Sequence, residues 1–107
     1  MRTTAVLAVS LGLSGLSALA HAENTELGKE VFTQISQPSC TICHALSDAG
    51  SAGAIGPDLD NLKPSREQVI NAVTQGVGVM PAFEGSLSAE QIQALADYIL
   101  SVTSGQN

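Results

Sequence analysis

Residues Ser39–Ala45, SCTICHA, contain both cysteines of this 107-residue chain. The two are spaced Cys-x-x-Cys, and His44 follows directly. Three chemistries use such a cluster: a redox-active dithiol, part of a zinc site, or the attachment point of a covalently bound haem. The residues outside this stretch distinguish among them.

The first 22 residues have the pattern of a secretory signal peptide. Arg2 provides a short positive region, Ala5–Ala20 is an apolar run of 16 residues, and Ala20-His21-Ala22 is an A-x-A cleavage site. Because the run is shorter than the ~20 residues that span a bilayer, we expect cleavage after Ala22 and no stable membrane insertion afterwards. The predicted mature chain is one exported, periplasmic domain of 85 residues, 23–107.

Cleavage leaves few residues that can bind a metal or fill a core. The predicted mature chain keeps one His, one Met, two Cys, two Phe, one Tyr and no Trp. A domain this small with three large rings has a marginal side-chain core, so we expect another group to fill its interior. Three cations against ten carboxylates give a formal charge of −7, which argues against nucleic acid and anionic membrane surfaces as partners.

Hydrophobic periodicity predicts a first helix that begins at Asn24 or Thr25 and ends before Pro38. Its apolar residues recur every four positions, at Leu27, Val31 and Ile35. A second helix is predicted from Ser65 to about Gln75. Its start carries a capping box with Gln68, and its stop is Gly76.

The third predicted helix begins at Ser88, where Gln91 completes a capping box. Leu87 and Ile92 stand at the positions of a hydrophobic staple, and Gly105 lies past the end. The predicted apolar face consists of Ile92, Leu95, Ile99 and Val102, with Tyr98 beside it.

Two segments between these helices, residues 47–57 and 76–83, are rich in Gly and Pro and lack periodicity. No alternating strand pattern is present, so the predicted fold class is all-α with long loops. Irregular segments of this length are unusual in so small a domain. A prosthetic group wrapped by the loops would explain both the segments and the small core.

The zinc and dithiol interpretations each leave features unexplained. A structural zinc site wants four Cys or His ligands, and the mature chain offers three within five residues. A redox Cys-x-x-Cys is typical of a βαβ context, which this sequence lacks, and that chemistry gives His44 no role.

Haem attachment uses every residue of the motif. Positions i and i+3 of a helical turn share a face, so the thiols of Cys40 and Cys43 can add together to the two vinyl groups of one porphyrin. His44 can then offer a ring nitrogen to the iron as one axial ligand. We therefore interpret the stretch as a c-type haem attachment site.

Met80 is the predicted second axial ligand. No other His survives cleavage, both cysteines are used, and Met80 is the remaining Met. Gly76 and Gly78 permit tight turns and a close approach to a ring. Pro81 fixes its own φ and favours an extended backbone at the preceding residue. A core-filling role is the usual alternative for a lone Met, but this setting favours ligation.

These segments together resemble the class I c-type cytochromes. Gly28 and Phe32 precede CTICH, and IGPDL, GVGVMPAF and LSAEQIQALADYIL follow it in order, so the resemblance covers essentially the whole mature chain. The second half is similar to cytochrome c6-like members. The loop DAGSAGAIGPDLDNLKP, residues 48–64, together with GVGVMPAF, is also similar to monohaem cytochrome subunits paired with sulfite-oxidising molybdenum enzymes.

The resemblance implies a small fold of three to four helices wrapped around one haem c. It also implies that the Pro57 carbonyl orients the His44 imidazole and that Leu59 packs on the haem. Gly28 and Phe32 would lie where the first and last helices cross, against Leu95 or Tyr98.

The sequence departs from the family pattern at two points. Ala45 stands where many members have Gly, which puts little in doubt. No Trp is available to hydrogen-bond a haem carboxylate. Lys63, Arg66 and Asn61 are candidates for that role, although each is more simply explained as a solvated surface residue.

A haem with two protein ligands has no open position for a substrate, which indicates a periplasmic one-electron carrier and not an enzyme. Its expected partners are redox proteins, including a terminal oxidase. An alternative is a dedicated cytochrome subunit or electron acceptor of a sulfite-oxidising dehydrogenase. A haem sensor or peroxidase-like protein with a labile Met80 is a further alternative, and a photosynthetic source would make the location lumenal.

Overall fold

The structure, a computed structural model, describes residues 5–10, 12 and 15–103. Arg2 and Gly105, used in the predictions at the two ends, lie outside these residues. The described chain forms three long and two single-turn α-helices, in agreement with the predicted all-α class. They are α1 (Gly15–Glu30), α2 (Cys40–Cys43), α3 (Leu59–Leu62), α4 (Arg66–Gln75) and α5 (Ala89–Thr103).

The predicted start of the first helix at Asn24 or Thr25 is wrong, because α1 is already helical at Gly15. The segment before Asn24 is rich in Ala and Leu, the strongest helix formers. Neither polar residue caps a helix. The Asn24 amide donates to Asp97 Oδ2 on α5 at 3.1 Å, and the Thr25 hydroxyl donates back to the Ala22 carbonyl.

The end of this helix also differs from the prediction. Residues Val31–Ile35 form a π-helical turn, in which the Ser36 N–H donates to the Val31 carbonyl at 3.1 Å. The wider turn breaks the four-residue periodicity. Val31 is therefore buried while Ile35, placed on the same face by the prediction, is exposed.

The capping predictions for the other two long helices are confirmed. Ser65 and Gln68 form a reciprocal capping box at the start of α4, and Gly76 is its C-cap. Ser88 and Gln91 exchange the same pair of hydrogen bonds before α5. These signals are local, so the sequence alone determines them.

A small antiparallel hairpin inside the loop 44–57 was not predicted. Strands β1 (Ala45–Leu46) and β2 (Ser51–Ala52) pair Ala45 with Ala52 and Leu46 with Ser51. A 3₁₀ turn at Ser47–Ala49 connects them, and Gly50 ends it with φ of 65°. Strands of two residues are too short to show an alternating pattern.

The core lies where α1 and its π-helical turn cross α5. A Cβ atom on Gly28 would lie 2.1 Å from the Ala94 carbonyl oxygen and 2.5 Å from Tyr98 Cβ, so only glycine allows this approach. The Phe32 and Tyr98 rings meet edge to face with centroids 6.2 Å apart. The expected crossing is therefore confirmed. The buried cluster is Val31, Phe32, Leu46, Leu59, Val69, Val73, Phe83, Leu87, Ile92, Leu95, Ala96, Tyr98, Ile99 and Leu100.

Within the described residues, no helix combines the length and the apolarity that a membrane crossing requires.

Candidate haem site

A cavity of about 610 Å³ opens from the core between the loop 44–57, helix α4 and the loop 76–83. Its volume lies within the range of ~300–1,000 Å³ that is common for cofactor sites. No Asp, Glu, Lys or Arg is among the described residues that line it. All six residues predicted for the site line this cavity: Cys40, Cys43, His44, Pro57, Leu59 and Met80.

The two cysteines lie on the single turn of α2. Ser39 caps this turn, because its hydroxyl accepts a hydrogen bond from the Thr41 N–H. Burial raises the pKa of the Cys40 thiol, and a contact with the Ser36 hydroxyl at 3.4 Å opposes part of that rise. A raised pKa is the opposite of the activation that a redox-active dithiol needs. Cys40 and Cys43 both line the cavity, where a group bound there could be attached.

His44 follows α2 in an extended conformation and is held on one side by Pro57. Its Nδ1 lies 2.7 Å from the Pro57 carbonyl oxygen. Because a carbonyl only accepts, Nδ1 carries the proton and Nε2 presents its lone pair. Gly56 packs directly on the ring, since a Cβ there would lie 2.7 Å from His44 Cε1.

The loop that presents His44 is also fixed at its far end. The Ser51 hydroxyl donates to the His44 carbonyl at 2.9 Å. The Ser47 N–H and hydroxyl both donate to Asp60 Oδ2, at 2.8 and 3.0 Å. These bonds connect the hairpin to the motif on one side and to α3 on the other.

Asp48 joins the same loop to the α1–α5 crossing. The Tyr98 hydroxyl donates to Asp48 Oδ2 at 2.7 Å, and Lys29 Nζ lies 3.2 Å from that oxygen. The Tyr98 hydrogen bond, and after it Lys29, lowers the pKa of the Asp48 carboxyl. Burial and the same hydrogen bond raise the pKa of the Tyr98 phenol.

Met80 lies on the opposite loop, half-buried against the core. Its N–H donates to the Val77 carbonyl at 2.9 Å, and the Val77 N–H returns a bond to the Met80 carbonyl at 3.1 Å. Gly76 and Gly78 both have positive φ, 75° and 57°. A Cβ on Gly76 would lie 2.7 Å from the Met80 carbonyl oxygen, so the tight turn around Met80 requires this glycine.

The three candidates for binding the haem carboxylates do not line the cavity. Arg66 pairs with Asp97, and the Asn61 amide donates to Asp58 at 3.2 Å. Lys63 ends α3 in a left-handed conformation. The polar side chains that α4 does contribute to the lining were missed: Gln68, Asn71 and Gln75. Their i, i+3, i+7 spacing places them on one helix face, and that spacing was visible in the sequence.

The side chains around the cavity suit a haem better than a zinc ion or a redox-active dithiol. Among the described residues, no group of three or more His, Cys, Asp or Glu side chains is close enough to hold a metal ion. A porphyrin needs only axial protein ligands. A thioether, an imidazole and two thiols around an apolar cavity are the side-chain types that such ligands and anchors would require.

Comparisons with known proteins agree with this site. Residues 23–99 match the family described as cytochrome C oxidase, cbb3-type, subunit III. The chain is 54% identical over 39 residues to cytochrome c6 from Microcystis aeruginosa, a match of 36% of this chain and about half (48%) of that protein. It is 36% identical to cytochrome c6 from Porphyra purpurea, covering 94% of this chain and 93% of that protein.

A solved structure is similar over most of the fold. The c-type cytochrome SorU from Sinorhizobium meliloti is 46% identical and superposes with a TM-score of 0.74, covering 77% of this chain and 93% of that one. The family match, the relatives and the fold agree with the cysteine spacing. The chain therefore belongs to the class I c-type cytochromes, as a monohaem electron carrier with one haem c attached through Cys40 and Cys43.

Proposed function

We propose that this protein is a periplasmic one-electron carrier whose haem iron is held by His44 and Met80. One observation carries the proposal. His44 and Met80 line one cavity with both cysteines, on loops that approach it from different elements. Members of this family carry a haem, and an imidazole and a thioether are common ligands of its iron.

Each residue has a defined task in this proposal. Cys40 and Cys43 anchor the macrocycle, so a small domain does not lose it. Pro57 holds the proton on Nδ1 of His44 and thereby directs Nε2 to the metal. Met80 offers a soft thioether, which favours the reduced state and raises the potential.

When bound, the haem supplies a one-electron couple between ferric and ferrous iron. The protein's part is to keep both ligands in place and water away. The lining is largely apolar, with Phe32, Leu59 and Phe83 among the buried residues that face it. Because the same side chains serve both oxidation states, little has to rearrange, which suits a carrier.

The axial assignment is tested with Met80→Ala in the purified holoprotein. We expect a changed visible spectrum and carbon monoxide binding to the untreated ferrous protein. We also expect a potential lower by several times the ~59 mV that represents a tenfold change for one electron. Ala82→Ser is the matched control, since Ala82 is on the same loop, exposed and not among the described residues that line the cavity. A Met80→Ala protein with the spectrum and potential of the wild type would refute the assignment.

Export is a separate part of the proposal, based on the pattern of residues 1–22. Mass spectrometry of haem-stained protein from a periplasmic fraction is expected to give a chain that begins at Glu23. A haem protein that retained residues 1–22 would contradict it.

The resemblance of the loop segments to cytochromes paired with sulfite-oxidising molybdenum enzymes supports a second candidate function. In it this cytochrome would take electrons from one dedicated dehydrogenase. Reduction of the purified cytochrome by sulfite, catalysed only by a co-purified enzyme, would favour this candidate. Equal reduction by unrelated donors would favour the free carrier.

A further inference from the structure

We propose that the amide groups of Gln68, Asn71 and Gln75 on α4 bind the two haem carboxylates, in place of the cations or Trp that such groups often meet. The inference rests on the haem c site described above. It adds the residues that bind the haem carboxylates, which no sequence motif identifies. We call these three residues the amide row.

The charges of the molecule lie elsewhere. No described lining residue of the cavity is charged, although the full chain has four cations and ten carboxylates. Arg66, at the start of α4, is engaged by Asp97 on α5 and by Gln93 at 3.5 Å. The side chains that could meet a haem carboxylate from within this cavity are therefore neutral.

The amide row is the set of polar donors that remains. Among the other polar lining residues, the Ser39 hydroxyl is used at the start of α2, and His44 faces Pro57. The Gln68 Oε1 accepts the Ser65 N–H at 2.9 Å, which fixes the side chain and leaves its NH₂ group to donate. No hydrogen bond within the described structure uses the amides of Asn71 or Gln75.

The position of α4 agrees with the chemistry of the cofactor. Haem carries its two carboxylates on the half of the ring away from the vinyl carbons that the thiols attack. Cys40 and Cys43 are on α2, which packs against the π-helical turn and β2, whereas α4 packs against α5. The thiols and the amide row thus line different walls of one cavity.

Neutral amides stabilise a carboxylate by hydrogen bonds without cancelling its charge. Two uncancelled charges near the iron favour the ferric state. A cation placed within the amide row would then raise the reduced fraction at a fixed external potential. For two unit charges about 8 Å apart at an effective dielectric constant of about 40, the interaction corresponds to about a fivefold change.

The first test is nuclear Overhauser spectroscopy on ferrous holoprotein, between side-chain N–H protons and the methylene protons next to the haem carboxylates. We expect cross-peaks from at least one residue of the amide row, lost in the corresponding Ala variant. Cross-peaks from Lys63, Arg66 or Asn61 and none from the amide row would overturn the proposal while leaving the cytochrome intact.

The second test compares Asn71→Lys with Thr74→Lys. Thr74 is on the same helix but lines a separate groove with Leu87 and Ile92. We expect the ratio of reduced to oxidised protein to rise about fivefold for Asn71→Lys and clearly less for Thr74→Lys. Equal shifts in the two variants would contradict the placement of the carboxylates.

Discussion

The two loops that present His44 and Met80 are held in different ways. The loop 44–57 is fixed by side chains, with hydrogen bonds from Ser51 and from Tyr98 in addition to the His44–Pro57 contact. In the described structure no side chain of residues 76–82 makes a hydrogen bond. That loop is held by backbone bonds, such as Phe83 N–H to the Val73 carbonyl at 2.8 Å.

The two loops also differ in how much of them is exposed to solvent. Val77 and Val79, which flank Gly78 beside Met80 and line the mouth of the cavity, are 64% and 89% exposed. In the loop 44–57, Gly53 and Gly56 pack directly against Cys43 and His44. Because segments held by backbone bonds alone open locally more easily, we expect Met80 to be the proposed ligand that leaves first and His44 to stay.

The largest effect is expected for Gly56→Ala. Its Cβ would overlap the His44 ring at 2.7 Å, and that ring cannot move without losing Pro57. We expect a loss of about 3 kcal/mol in the free energy of unfolding, with a changed haem spectrum. Denaturant unfolding of the holoprotein measures it. Gly85→Ala is the control, since a Cβ there meets nothing within 4 Å. Equal losses for the two variants would mean that the His44 side is not tightly packed.

On the Met80 side, Gly76→Ala is expected to cost about 2 kcal/mol, since the residue has φ of 75° and a Cβ contact with the Met80 carbonyl. Gly78→Ala shares the positive φ of 57° but opens onto free space, so about 1 kcal/mol is expected. Urea titrations, followed at a haem band sensitive to Met ligation, would resolve the two. A larger loss for Gly78→Ala would contradict the described turn.

A third prediction concerns pH. The Tyr98 hydrogen bond lowers the pKa of the Asp48 carboxyl in the folded state. This carboxyl therefore stabilises the fold above its ordinary pKa of about 4, and the contribution disappears as pH falls through the lowered value. We expect Tyr98→Phe to cost about 1 kcal/mol at pH 7.

The cost should shrink below about pH 4. Unfolding curves of the wild type and Tyr98→Phe across pH 2.5–7 would measure it. Asp48→Asn in the same background is the control. A cost independent of pH would mean that the lost hydroxyl does not act through the charge of Asp48.

The smallest effect is expected for Ala82→Ser. Ala82 is exposed and is not among the described residues that line the cavity, and Ser loses little by facing water, so the free energy of unfolding should change by less than about 0.5 kcal/mol. Calorimetry of the holoprotein would test it. A loss above 1 kcal/mol would show that the Met80 loop is packed more firmly than the comparison of the two loops implies.

Features that depend on neighbouring residues could be predicted from the sequence, and features that depend on contacts between distant residues could not. The capping boxes at Ser65 and Ser88 depend on residues three apart, and both were read correctly from the sequence. The π-helical turn depends on how Val31 and Phe32 meet α5, which no local pattern encodes. The same applies to Asn24, which lies within α1 and bonds to α5.

For the site, the ligand candidates followed from counting the few His, Met and Cys residues of the mature chain. The amide row was missed for a different reason. Gln68, Asn71 and Gln75 are ordinary surface residues until the fold places α4 beside a cavity with no charge. Composition could indicate that the chain is acidic, but not that its charges avoid the cavity.

The Asn24–Asp97 hydrogen bond has a consequence for export. If cleavage follows Ala22, as we propose, only Glu23 precedes Asn24, whose side chain connects α1 to α5. A cut two residues further along would remove Asn24 and leave the Asp97 side chain, 9% exposed, with Arg66 as its partner among the described residues. The position of cleavage would then affect the stability of the exported carrier. A preparation with mixed N-termini would contain proteins of different stability.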